Sequence, residues 1–181
     1  MASYYKSDFR TGVGDGSLPA ISTELEAIRT FQFEVHFNGL PAGVGSERDL
    51  VLAAKKVDSV GVTAEDIIVE RANDKVYYPG KVTPEELKIT FDNLYLKNTS
   101  KALYEYFTQT YDPRTGSLGD AADVKTGQVD IVMLSNDLTP SQTISLVGVY
   151  PKKYTLGQFQ YSENQFHTLE VNFRFDYLLH N

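Results

Sequence analysis

The stretch "LVGVYPKKYTLGQFQYSENQFHTLEVNFRFDYL", residues 146–178, decides the fold. Its last third alternates strictly. Leu169, Val171, Phe173, Phe175 and Tyr177 fall on one face of an extended chain, and Thr168, Glu170, Asn172, Arg174 and Asp176 on the other. A period of two is the spacing of a strand with one buried and one wet side. The first third, 146–150, reads as the end of another strand, Pro151-Lys152-Lys153 as a turn, and "GQFQYS", 157–162, as a short strand.

Working outward, the same alternation recurs. Phe31, Phe33, Val35 and Phe37 interleave with Gln32, Glu34 and His36, which outweighs a short helix over 22–30 capped by Ser22 or Thr23. Residues 38–49 are dense in Gly and Pro, and 50–74 give two strand-like runs broken near Gly61, read as a long hairpin or an adjacent pair. Thr83-Pro84-Glu85-Glu86 matches a capping box with proline at the first helical position. Leu87, Ile89 and Phe91 then alternate with Lys88, Thr90 and Asp92, so at most one helical turn precedes a strand.

One main helix is predicted over 98–113, where Ala102, Leu103, Tyr106, Phe107 and Thr110 recur at spacings of three and four and Pro113 follows. Residues 112–127 read as a long exposed loop, and "QVDIVMLS" and "QTISLVGVY" as further strands. The sum is a mainly β domain, a sandwich or barrel of eight or nine strands with one main α-helix. It spans 21–181 and follows a glycine-rich arm, 1–20, in which Tyr4, Tyr5 and Phe9 are candidate anchors.

A chain of 181 residues suits one such domain. Twelve tyrosines and ten phenylalanines without tryptophan favour strands. The absence of cysteine excludes disulfides, thiolate catalysis and Cys-ligated metal sites. A formal charge of −7 has the wrong sign for a protein that grips nucleic acid by displacing phosphate counterions. No run nears the ~20 apolar residues of a spanning helix, and the N-terminus lacks the apolar segment of a signal peptide, so a soluble protein without a recognisable export route is expected.

No catalytic constellation emerges. His36, His167 and His180 stand at no metal-ligand spacing, and "GVGDGS", 12–17, has no strand before it. Glu85/Glu86 and Asp120/Asp123 fall in turns, where water leaves little reason for a shifted pKa. The doublets Lys55/Lys56 and Lys152/Lys153 lack the interleaved aromatics of a single-strand platform and read as contact or solubilising residues. No cofactor, metal or enzyme activity is expected.

Over about residues 28–178 the order of elements resembles the tail tube proteins of contractile-tailed bacteriophages. The C-terminal pattern carries most of the likeness: Gly148 and Pro151 ending one strand, Asn164, then Glu170, Val171, Asp176 and Tyr177 on the last. "FQFEVHFNG" resembles the family's first strand and "AAKKVDSVGV" its second. "KVYYPGKVTPEELKITFDN" resembles the section leading through a Pro-Gly to the helix. The arm and the 112–127 loop depart from the pattern.

The resemblance implies a hexameric ring, stacked into a hollow tube, in which each subunit adds strands to a continuous barrel around a lumen. DNA would pass there without specific binding, after a tape-measure protein. The sheath, baseplate and tail terminator would be partners, in a virion tail assembled in the host bacterial cytoplasm. On this reading the polar residues Lys88, Thr90, Asp92, Glu170, Asn172, Arg174 and Asp176 face the lumen, whose net acidity lets DNA slide. Tyr4, Tyr5 and Phe9 of the arm and Asp112, Arg114, Asp120 and Asp123 of the loop meet neighbouring subunits. Two alternatives stand beside it: the tube or tube-initiator of a related contractile injection system, and a monomeric β-sandwich binding module using Tyr77, Tyr78 or Tyr150.

Overall fold

The computed structural model describes residues 28–41, 44–125, 127–162 and 164–181. The anchors Tyr4, Tyr5 and Phe9 lie outside the described residues, as does most of the weak 22–30 helix reading.

The closing alternation forms β8 (Thr168–Arg174), antiparallel to β5 (Leu87–Asp92). Leu87 sits opposite Phe173, Ile89 opposite Val171 and Phe91 opposite Leu169, and all six are fully buried. Across them comes β1 (Phe33–Asn38), whose Phe37 ring lies 6.0 Å from Phe91 and 6.1 Å from Phe173. Tyr106 of α2 (Thr99–Thr110) meets Phe173 at 6.2 Å, so Phe173 is a hub of the core. Phe31 precedes β1 and is exposed, so the inward row begins at Phe33.

The longest strand is β7 (Pro140–Leu156). Its first half pairs with β6 (Gly127–Leu134) and β9 (Tyr177–His180), and its second half with β8. The full order is β1-β6-β7-β8-β5-β2, with β9 on β7. Because β1 packs face to face on β5 and β8, which stand well along that order, the sheet folds over on itself about β7 into a sandwich. The mainly β fold expected from the sequence is the fold found.

Several local readings change. Pro151-Lys152-Lys153 is a bulge inside β7, not a turn. Proline is tolerated there because this part of β7 pairs on one side only. Residues 157–162 form no strand. The closing alternation breaks after Phe175, and Tyr177 belongs to β9, half exposed and paired with Val147.

The runs in 50–74 do not pair with each other. A helix, α1 (Glu47–Ala53), buries Leu50 and Ala53 and runs straight into β2 (Ala54–Val57) on the edge of β5. Beyond the break near Gly61, β3 (Val62–Glu70) pairs with β4 (Lys75–Pro84). Asp58 N–H donates to Lys88 O at 2.9 Å and Glu85 N–H to Gly61 O at 2.9 Å, so β2/β5 and β3/β4 are two parts of one ribbon. No helical turn intervenes at 83–86, because the backbone there carries the ribbon. The 112–127 loop is folded back on α2: Gly119 N–H donates to Thr110 O at 3.2 Å, and α3 (Ala121–Val124) tucks Val124 inside.

Candidate assembly surfaces

The odd positions of β5 are spent in the core, so Lys88, Thr90 and Asp92 point away from it, and the same holds for Glu170, Asn172 and Arg174 on β8. Register places Lys88 opposite Asn172 and Thr90 opposite Glu170. Six of the seven residues expected on a channel wall therefore share one sheet face. Asp176 stands apart, beyond the end of β8, where its carboxylate takes Lys125 Nζ at 2.6 Å.

Ion pairs tile this face. Lys88 Nζ lies 2.8 Å from Glu170 Oε2, Lys55 Nζ 3.1 Å from Asp92 Oδ1 and Lys56 Nζ 2.6 Å from Asp58 Oδ1. Glu86 is the hub: it pairs with Lys152, accepts from Asn172 Nδ2 at 3.0 Å, and lies 3.1 Å from Arg174 Nη2. Arg174 is braced by donating through Nη1 to Pro84 O at 3.2 Å. The hydrogen bond to Glu170 raises the Lys88 pKa, and the bond from Lys56 lowers that of Asp58.

The hydrogen bond from Lys152, with that from Asn172, brings Glu86 down from 4.5 to about 2. A depressed carboxylate pKa stabilises the fold above its unfolded value and loses that stabilisation as pH falls through the folded one. The window therefore runs from about pH 4.5 down to about 2. Glu86→Gln is expected to cost about 1–2 kcal/mol at pH 7, after solvent screening, with a deficit that closes across that window. Urea unfolding at pH 7 and pH 3 checks it, and a deficit independent of pH would refute it.

This face is not acidic. Lys55, Lys56, Lys88, Lys152, Lys153 and Arg174 outnumber Asp58, Glu86, Asp92 and Glu170, although the chain as a whole is at −7. Sequence reading found the period-two residues but missed Glu86, Lys55 and Lys152, which join the face from strand ends and bulges. The only signal was the lysine doublets.

Both outer edges of this half-sheet are open. The order β2-β5-β8-β7 leaves β2 without a partner on its far side, and β7 without one from 151 to 156, among the described residues. All three ladders within it are antiparallel, so its two free edges run in opposite directions.

The loop residues lie elsewhere. Asp112 accepts from Arg114 N–H at 2.9 Å and Thr115 Oγ1 at 3.1 Å, and the first of these bonds lowers its pKa. Asp120 precedes α3 and Asp123 lies in its first turn, both exposed, as is Arg114. Tyr77 and Tyr78 are successive residues of β4 and so face opposite ways, while Tyr150 lies in β7 with Lys125 Nζ 5.6 Å from its ring centroid. These tyrosines do not converge on one concave site. His36 contacts Glu34 at 3.0 Å and His167 stacks on Phe159, while His180 ends β9.

No protein-family model matches this chain. No curated protein matches it either. Solved structures do. A chain of the sheath–tube complex of an extracellular contractile injection system, PVC, in its extended state aligns with TM-score 0.67 and 13% identity over 90% of this chain and 99% of that one. A chain of the anti-feeding prophage baseplate aligns with TM-score 0.66 and 15% identity, covering 86% and 96%. A chain of the same prophage's tube-terminating cap gives 0.65 and 15%, covering 86% and 91%. At such identities the likeness concerns the fold, which is shared with components of contractile injection machines.

Proposed function

We propose that this chain is a non-enzymatic structural subunit whose copies close into hexameric rings and stack into the tube of a contractile, phage-tail-type machine. The observation that carries the reading is the half-sheet β2-β5-β8-β7, polar on one whole face and unpaired on both edges. Exposed edges invite pairing with another chain. Because the strands alternate in direction, β2 of one copy meets the 151–156 edge of the next antiparallel, and rotation about an axis closes a barrel with no free edge. Its ion-paired face would then line the lumen. Asp112, Arg114, Asp120 and Asp123 on the folded-back loop, and the arm residues Tyr4, Tyr5 and Phe9, are proposed contacts to neighbouring copies.

Sheath, baseplate and terminator are the partners this role requires, with a tape-measure protein and then DNA in the lumen if the machine is a virion tail. One feature favours the second reading, an injection-system tube with another cargo: a wall richer in cations than acids would retard a phosphate chain.

Amide hydrogen exchange at rising protein concentration, read beside negative-stain images, tests the closure. Residues 54–57 and 152–156 are expected to gain protection together as six-fold rings appear. A chain that stays monomeric throughout, or rings in which those amides still exchange freely, would refute it.

A further inference from the structure

We infer that, between neighbouring copies of one ring, helix α1 of one copy seats Leu52 in an aromatic cleft of the next, and that this contact fixes the register of the paired edges. The inference rests on the tube reading and adds to it a partner surface outside the barrel wall.

The two layers of the sandwich create the need for a filler. The inner half-sheet has four strands, β2-β5-β8-β7, and the outer one also has four: β1, β6, the first half of β7, and β9. Packed sheets stand ~10 Å apart, so an outer layer around the same axis has about 60 Å more circumference to cover, roughly 10 Å for each of six copies. With equal strand numbers the inner layer closes and the outer one leaves a gap between copies. That width suits an α-helix, whose diameter with side chains is about 10–12 Å.

Helix α1 stands where the gap opens. It buries Leu50 and Ala53, packs on β1 and β5, and is tied to the 95–97 turn through Asp49 Oδ1, 2.9 Å from Lys97 Nζ. Because it runs straight into β2, it lies at one free edge of the inner half-sheet, on the core side. Leu52 is 63% exposed on it.

The cleft stands at the other free edge. Leu94, Tyr95, Tyr104, Tyr154 and Leu156 line a hollow of about 460 Å³ between the start of α2 and the end of β7. Its walls are already set: the Tyr104 and Tyr154 rings meet edge to face at 5.8 Å, and the Tyr154 hydroxyl lies 2.7 Å from Ser100 Oγ and donates to Ser100 O at 3.2 Å. Tyr95, Tyr104 and Leu156 all keep exposed surface there.

Register brings the two together. Ala54 lies opposite Phe91, Phe91 opposite Leu169, and Leu169 opposite Leu156, one row across the half-sheet. Side chains directly opposite share a face, and Phe91 and Leu169 mark it as the core side. So α1, which ends at Ala53, and the cleft, which reaches Leu156, lie at one level of one face, at opposite edges. When β2 of the next copy pairs with residues 152–156, its α1 arrives beside the cleft. Both edges are short, and a slip of one residue would turn every side chain to the wrong face. A leucine seated among fixed rings selects one register from those that backbone pairing alone allows.

The chain has no cysteine, so an introduced pair is unambiguous. Within a copy, three strand spacings, roughly 14 Å, separate β2 from β7, too far for a disulfide. Leu52→Cys/Leu156→Cys chains, oxidised at concentrations where rings form, are expected to give a covalent ladder that ends at six copies. A mixture of the two single variants should give dimers only, and each single variant alone no product. Leu52→Cys dimers formed alone, a ladder running past six, or rings that yield no product overturn the inference. So does a Leu156→Cys chain that captures a cysteine placed at Tyr4, since the occupant is then the arm.

Leu52→Asp, at an exposed position, is expected to leave the melting temperature of the dilute monomer unchanged and to raise the concentration needed for rings at least tenfold. Unchanged ring formation overturns the inference as well. Wild-type rings without the cross-link would sink this contact and keep the tube reading, whereas a wild-type chain that never forms rings sinks both.

Discussion

Phe173→Ala is expected to lower the unfolding free energy by about 3–5 kcal/mol, the range for emptying a phenylalanine site in a packed core. The melting temperature should fall by roughly 10 °C for a domain of this size. Phe173 has no exposed surface, stands opposite Leu87, and touches the rings of Phe37 and Tyr106, so the cavity opens where β1, β5, β8 and α2 converge. Tyr106 adds to the cost. Its hydroxyl donates to Val149 O at 3.1 Å, and burial raises its pKa, so the ring is held by a buried hydrogen bond and cannot simply swing into the void. Phe159→Ala, at an exposed ring, is the matched control, expected within ~0.5 kcal/mol of wild type for the monomer. Denaturant unfolding of dilute protein checks both, and a Phe173→Ala loss below ~1 kcal/mol would contradict the core described above.

The parts of this fold that sequence could reveal are those whose burial repeats at a fixed period. Along β1, β5 and β8 every second residue is inside, and along α2 Leu103 and Tyr106 recur at helical spacing, so their faces could be assigned without coordinates. The short helix α1 was hidden because its apolar residues, read together with the following lysines, imitate a strand. Ser46 at the N-cap and the acids Glu47 and Asp49 in its first turn are what mark a helix start. The continuity of β7 through Pro151 depends on one of its sides being free, a tertiary fact no local pattern carries. The candidate wall divides in the same way. Its β5 and β8 residues follow from alternation, whereas Glu86 gathers Lys152, Asn172 and Arg174 from strands far apart in sequence. The apolar runs 67–69 and 76–79 were legible in the sequence, though their pairing into one hairpin was not. Nor was the fact that nothing in the chain's own described fold covers it.

Gly148→Ala should be costlier than its size suggests, at roughly 2–4 kcal/mol, because two independent objections meet at one atom. Gly148 has φ +71°, which an L-residue adopts only at a penalty of ~1–2 kcal/mol. A Cβ there would also overlap Asp176 Oδ2, the carboxylate that holds Lys125, so the substitution must either bend β7 or eject Asp176. A double-mutant cycle separates the two. Asp176→Ser alone removes an exposed ion pair and is expected to cost ~1 kcal/mol or less. In that background Gly148→Ala meets no carboxylate and should cost only the dihedral penalty, so the two changes together fall short of their sum. Simple additivity would mean the overlap is relieved by some other route. The position matters beyond stability, because Gly148 lies where β7 passes from its β6 partner to its β8 partner. Its left-handed backbone therefore sits at the join between the β2-β5-β8-β7 half-sheet and the rest of the sandwich, where it can set how the two are angled. If the tube reading holds, Gly148→Ala chains that remain folded in the cold should close into rings poorly, while Asp176→Ser chains close normally. Normal rings from both would show that the bend is not what positions the edges.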